Sequence, residues 1–246
     1  IFETMNRRRV PREWASRLAE LAWRINEPLW SLQLLKRFVY PENRFATPAT
    51  PHEKVIYATA LSSLGATDEA ARILGQVDGS SEPEALFHRA SGMMYAWNYA
   101  AATPLLRSFL RTPQLAPYRV LVGRVNLAAA LIDQEEWDEA ERELEMAIAS
   151  CEQGGYRLLH GNCLELKGQI AIFQRRFVDA DKLLKLAIAK LSEQKGFYSL
   201  YAEKWLTINR ALCAKPGEER EAALGDLLQI QEKAFALQHW NTVREC

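Results

Sequence analysis

The feature that most constrains this chain is a short pattern that returns six times. In "EEWDEAERELEMAIA", residues 135–149, Trp137 is followed by Ala140, Leu144 and Ala147, and most of what lies between is charged. A helix with so narrow an apolar stripe does not hold itself folded in water and must pack on a neighbour. The same spacing returns in "TDEAARILGQV" through Ala70, Leu74 and Val77, and in "YAAATPLLRSF" through Tyr99, Ala102, Leu106 and Phe109. It returns again in "FVDADKLLKLA" through Phe177, Ala180, Leu184 and Ala187. Weaker copies run through Ser31, Leu35 and Phe38 and through Ala223, Leu227 and Ile230. The leading small residues stand at 31, 70, 102, 140, 180 and 223, giving periods of 39, 32, 38, 40 and 43 residues. Twelve positions before each lies a second small residue: Ala19, Ala58, Ala90, Ala128, Gly168 and Ala211. All six are Ala or Gly, which chance does not readily supply.

Close approach explains the pairing. Two helices of a hairpin need a thin side chain where their axes cross, and the leucine one turn later fills the layer beneath. Each hairpin buries only part of its apolar surface, so neighbours stack and the array becomes a solenoid. Alternating β-branched runs are nearly absent. Amphipathic stretches follow one another instead, broken at "NEP" (26–28), "YPENRFATPATP" (40–51), "DGSSEP" (78–83), "RTPQLAP" (111–117), "QGG" (153–155), "KGF" (195–197) and "KPGEE" (215–219). Proline at these breaks starts a helix or stops one, and Gly154, Gly155 and Gly196 suit the left-handed residue past a helix end. The expected fold is therefore all-α, with repeats at about 10–45, 50–80, 83–115, 120–155, 160–196 and 200–240 in a single domain over residues 1–246.

The motif of small residue, aromatic, "xxA", Leu and Ala resembles the tetratricopeptide repeat (TPR). Residues 122–189 carry the likeness best, with Leu127-Ala128, Leu131, Trp137, Ala140, Leu144 and Ala147 in one repeat. Gly168, Phe177, Ala180, Leu184 and Ala187 stand in the next. The resemblance implies a right-handed α-α superhelix of about six helical hairpins. The periods exceed the standard 34 residues of that family. In this they resemble the longer repeats of bacterial signal-transducing regulators, the maltose-regulator type among them.

Composition bounds what such an array does. Thirty-one Lys and Arg balance thirty-one Asp and Glu, which disfavours direct nucleic-acid contact by this segment. A short cluster, Arg7-Arg8-Arg9 with Arg12, reads first as a solvated helix entry. No run of about 18 apolar residues and no signal-peptide pattern is present, and four cysteines are not a disulfide framework. A cytoplasmic protein without membrane contact is the expectation. A chain that opens on Ile1 and stops within "LQHWNTVREC" reads as part of a longer polypeptide.

Enzyme signatures are lacking: no Gly-rich phosphate loop, no HExxH, no GxSxG. "DEAERELE", residues 138–145, reads as a solvated face with local ion pairs rather than an acid–base pair. Cys151, His160 and Cys163 span a Gly-Gly turn and could converge on a metal, with Cys213 as the remaining thiol. No CxxC pair supports them, so buried thiols acting as small apolar packers are favoured. His52, His88 and His239 stand singly and read as surface or groove residues. No cofactor is expected.

What remains is the surface of the first helix in each hairpin, which lines the concave groove in TPR arrays. Projecting the family register onto this sequence places Phe87, Met94 and Tyr95 there in the third repeat, and Val125, Asn126 and Ile132 in the fourth. Gln169 and Phe173 follow in the fifth, and Trp205 and Asn209 in the sixth. Asn126 and Asn209 fall where peptide-binding repeats carry a backbone-gripping Asn. The Lys and Arg of the chaperone-type carboxylate clamp are missing, which argues against recognition of a peptide's C-terminus. So apolar a groove suits an amphipathic helix or an extended peptide. The competing reading packs many of the same residues between helices. The chain is therefore read as a non-catalytic protein- or peptide-binding module, the sensor or scaffold part of a bacterial regulator, with the regulator's own effector domain among the expected partners. The alternative is an assembly or secretion factor that holds a client. Oligomeric state is left open by the sequence. Ala140→Leu is expected to overpack the helix crossing and cost about 1–3 kcal/mol in chemical denaturation, and a neutral result would mean that the repeat register is shifted.

Overall fold

A computed structural model describes residues 10–25, 27–41, 47–193, 198–237 and 246. The Arg7–Arg9 cluster, the Lys195–Phe197 turn with Gly196, His239 and most of the final "LQHWNTVREC" lie outside the described residues. Those described form twelve α-helices and no strand. They group into two compact units, Ile1–Gln114 and Leu115–Cys246. The first holds α1 (Arg12–Arg24), α2 (Pro28–Val39), α3 (Pro51–Ser63), α4 (Thr67–Leu74), α5 (Glu84–Tyr95) and α6 (Tyr99–Leu110). The second holds α7 (Pro117–Asp133), α8 (Trp137–Gly154), α9 (Arg157–Phe173), α10 (Phe177–Ser192), α11 (Leu200–Cys213) and α12 (Glu218–Ala236). Odd and even helices pack as successive hairpins, and the odd helices also touch one another, α1 to α3 to α5 and α7 to α9 to α11. This is the architecture of the α-α superhelical repeat class. Each unit thus has a layer of first helices backed by a layer of second helices.

Local chemistry sets the helix ends. Pro28, Pro51 and Pro117 occupy first-turn positions, where the missing N–H costs nothing. Thr50 and Glu53 form a reciprocal capping box at α3: the Thr50 hydroxyl accepts from the Glu53 N–H, and the Glu53 carboxylate accepts from the Thr50 N–H. The α5–α6 hairpin uses Asn98, whose side chain accepts from the Ala101 N–H.

The turn inside the hairpins is one device repeated. Gly65, Trp97, Glu135 and Arg175 each stand five residues before the leading small residue of their copy, and all four have φ between 59° and 85°. The next N–H closes a six-residue ring in each: Ala66 to Leu61 O, Asn98 to Met93 O, Glu136 to Leu131 O and Arg176 to Ala171 O, at 2.7–3.0 Å. Glu27 to Ala22 O, at 2.8 Å, repeats the bond in the first hairpin. This is the Schellman closure, which satisfies the last helical carbonyls and reverses the chain in three or four residues. Three of the four left-handed residues carry a Cβ, so these turns hold backbone strain for the sake of a short connection.

At five of the six crossings the small residues do what their spacing predicts, whereas at the sixth Ala223 is buried but Ala211 and Leu227 are only half-buried. Ala19, Ala58, Ala70, Ala90, Ala102, Ala128, Ala140 and Ala180 are all buried, as are Leu106, Leu144 and Leu184 beneath them. A Cβ on Gly168 would sit 2.6 Å from Leu184 Cγ, so α9 and α10 approach more closely there than alanine allows. Ser31 stands where the other copies have alanine, and its buried hydroxyl donates to Ala19 O at 2.6 Å. The polar substitution is tolerated because its partner lies at the same crossing.

Between repeats of the first unit the joint is polar. Glu53 is buried, and its carboxylate accepts from Arg12 Nη2 at 2.6 Å and Nε at 3.2 Å and from the Ser16 hydroxyl. Arg12 Nη2 also donates to Pro48 O at 2.6 Å, tying α1 to the start of α3. Burial alone would raise the Glu53 pKa, but the hydrogen bonds from Arg12, Ser16 and Thr50 outweigh it and hold the carboxyl below its usual value.

Two stability measurements test this account. Glu135→Gly is expected to stabilise by about 0.5–1 kcal/mol, since relief of the left-handed penalty exceeds the added chain entropy. An unchanged or lower urea midpoint would show that the turn holds no such strain. Glu53→Gln is expected to cost about 2 kcal/mol at pH 7. Because the folded-state pKa is depressed, that stabilisation is present above the unfolded carboxyl's value of about 4.3 and is lost as pH falls through the folded value. The gap between wild type and variant should therefore close in acid, and a constant gap would show that charge at Glu53 is not what holds the joint.

Candidate protein-binding face

The layer of first helices is the surface on which the projected residues converge, and each unit presents its own. In the first unit Phe87 is turned inward, its ring 5.4 Å from Phe109 and 5.5 Å from His88. Met94 is half-buried and Tyr95 is exposed at the end of α5. Around them lies a polar band. His52, at the start of α3, has Nδ1 3.4 Å from Glu82 and Nε2 3.8 Å from Glu20 of α1. The hydrogen bond with Glu82 raises the His52 pKa, outweighing its partial desolvation, and Glu20 adds to the effect. His88 meets Trp23 of α1 edge to face at 6.1 Å. The two histidines, single in sequence, thus join first helices that are far apart along the chain.

In the second unit Val125 and Ile132 are buried, and half-buried Asn126 donates through Nδ2 to Val122 O of its own helix at 2.9 Å. Gln169 donates to the Glu165 carboxylate one turn earlier, a pairing that fixes its amide along α9. Asn209 is 3% exposed and donates through Nδ2 to Phe177 O at 3.1 Å, joining α11 to the first turn of α10. Its Oδ1 is buried without a hydrogen-bond partner.

Phe173 and Trp205 make the accessible part of this face. Phe173 closes α9 and is 45% exposed, and Trp205 of α11 meets its ring edge to face at 5.8 Å. Ile208 and Leu212, three and seven residues further along α11, line a pocket with Leu224 and Leu227 of α12, and Leu212 is half exposed. Behind Trp205 is a buried lysine that the sequence projection passed over. Lys204 Nζ lies 4.8 Å from the Trp205 ring and 4.9 Å from that of Tyr201. Such a cation braces the two rings against movement. The signal was in the sequence: "YAEKW", residues 201–205, sets Tyr and Lys three apart, on one face of a helix. Chemically this is a rigid aromatic ledge suited to an apolar side chain, with no nucleophile or acid–base pair among the residues that form it.

Cys151 and Cys163 are both buried, and desolvation is the largest cause raising each thiol's pKa. They stay neutral and pack as small apolar groups where α8 meets α9, with half-buried His160 nearby in sequence and Cys213 exposed. No helix among the described residues is long and apolar enough to cross a membrane.

No protein-family model matches the chain, and no curated protein matches it. Among solved structures it is similar to the crystal structure of the apo form of RapI, with a TM-score of 0.53 at 13% sequence identity. The superposed region covers 89% of this chain and 62% of RapI, so the chain spans less than two-thirds of that protein's length. At this identity the likeness is one of fold, and it agrees with the helical-repeat architecture.

Proposed function

We propose that this chain is a non-catalytic module that binds a protein or peptide along its layer of first helices. The observation that carries the reading is the aromatic ledge of the second unit, where half-exposed Phe173 stands against Trp205. An exposed aromatic ring on a helical layer is unfavourable in water and favourable under a partner's apolar face. The occupant that fits is an amphipathic helix or an extended peptide with a large apolar side chain seated against Phe173. In the first unit, Tyr95 and half-buried Met94 offer a smaller contact of the same kind. Phe87, Val125, Ile132 and Asn209 support the layer from within, and Asn126 and Gln169 border it.

In this proposal the module is the sensor or scaffold part of a bacterial signalling or transcriptional regulator in the cytoplasm, and its partner is a protein, the regulator's own effector domain included. The long repeats, with their maltose-regulator resemblance, support that placement. Fold alone hosts many functions, so the ledge and not the architecture is what a test must address.

Peptides selected from a displayed library against the wild-type chain provide the probe. Phe173→Ala and Trp205→Ala are each expected to weaken the best binder at least about tenfold while helicity is unchanged. Undiminished affinity in both folded variants would sink the proposal.

A further inference from the structure

We propose that Cys151 and Cys163 are a redox-modifiable pair, closed into an intrachain disulfide across the junction of α8 and α9 when that junction opens to hydrogen peroxide. The pair lies within the joint between two hairpins, so this inference does not rest on the binding function.

The repeat brings the two thiols together. Cys151 stands eleven residues after Ala140 on the buried stripe of α8, where α10 carries Leu191 eleven after Ala180. Cys163 stands five before Gly168 in α9, where α5 and α11 carry Ala85 and Leu206 at the same offset from their small residues. All of these side chains are buried, so hydrocarbon fills the equivalent places in other repeats and packing alone does not call for sulfur. Left-handed Gly155, with φ 67°, turns α9 back along α8, and the Tyr156 N–H closes the turn on Cys151 O at 3.0 Å. Across that turn the two sulfurs are in hydrogen-bonding contact, the Cys163 S–H donating to the Cys151 sulfur. From such contact a modest rotation of the two side chains brings sulfur to the bonding distance of about 2.05 Å.

At rest the pair is inert. Burial keeps both thiols protonated, and Glu152 and Glu165 act in the same direction on Cys151 and Cys163 respectively. The hydrogen bond gives them different roles, since accepting it favours a thiolate on Cys151 while the proton stays on Cys163. Position agrees with chemistry. Cys151 lies in the last turn of α8 and is followed by four exposed residues, 152–155, whereas Cys163 lies inside α9. The end of a helix opens at lower cost than its middle, so opening exposes Cys151 first. Its thiolate attacks peroxide, the O–O bond breaks, and a sulfenic acid and hydroxide result, the hydroxide taking up the Cys151 proton as water. The Cys163 sulfur then attacks the sulfenic sulfur. An S–S bond forms, the S–O bond breaks, and the departing hydroxide leaves with the Cys163 proton as a second water. Two thiols thus give two electrons and two protons to one peroxide.

Peroxide treatment of the folded chain, then thiol blocking, trypsin and mass spectrometry, tests this. Arg157 lies between the two cysteines, so the product is expected as peptides 143–157 and 158–167 joined by a bond that a reductant splits. The variant with Cys213→Ser and Cys246→Ser keeps the pair as its remaining thiols and should give the same product, with no covalent dimer on a non-reducing gel. Once oxidised, it should unfold at a higher urea concentration than its reduced form. Cys151→Ala is expected to slow oxidation of Cys163 at least about tenfold, because the sulfur that reacts first is gone. Should circular dichroism show that variant unfolded, dimedone trapping of the sulfenic acid in the wild type replaces it, and a label on Cys163 alone overturns the proposal. So does a folded chain whose exposed Cys213 is fully oxidised while the linked peptides are missing. An unchanged rate at Cys163 in folded Cys151→Ala overturns it as well, and a lower urea midpoint shows that the native joint does not accommodate the bond.

Discussion

Everything in this molecule depends on how closely two helices of a hairpin approach. Alanine or glycine in the first helix faces alanine in the second, and a leucine one turn on closes the layer beneath. At Gly168 the approach is tight enough that even a methyl group would collide with Leu184. Thin side chains at the crossing let the remaining apolar groups reach across to neighbouring hairpins, so burial is shared along the array. The aromatic ledge, the buried lysine behind it and the polar joint at Glu53 all sit at positions measured from that crossing.

The hairpin turns add a second constraint of a different kind. Tight reversal demands a left-handed residue, and the chain meets that demand with glycine once and with Trp, Glu and Arg in the other turns described. Side chains there cost backbone energy and gain surface chemistry. Arg176, which follows Arg175 in one such turn, reaches Glu141 of the preceding hairpin. Turn geometry and the pairing of adjacent repeats are thus coupled through a few residues.

Polarity is distributed unevenly between the faces. The first unit's helix layer carries a band of histidine and glutamate around Glu20, His52 and Glu82, with His88 in edge contact with Trp23. The second unit's layer is aromatic, with its cation tucked behind the rings. A solenoid gives each repeat much the same backbone, so the two units differ in side chains rather than in framework.

The all-helical class, the succession of hairpins and the small residues at five of their crossings were legible in the sequence, because spacing along a helix reports directly on which side chains share a face. Proline and glycine punctuation gave the breaks for the same local reason. The face was legible only in part. Family register brought Phe173 and Trp205 to one surface, where they are now seen in contact, and it placed Phe87, Val125, Ile132 and Asn209 beside them. Tertiary packing decided that those four face inward, since a position on a first helix is open or closed according to the bulk of residues 30 to 40 places away. The same holds for Lys204 and for the Glu20–His52–Glu82 bridge: each needs partners from separate turns or helices, and periodicity within one helix says nothing about distance between two. Sequence by itself determined the repeating unit; only the stacked structure decided which of its side chains reach the surface.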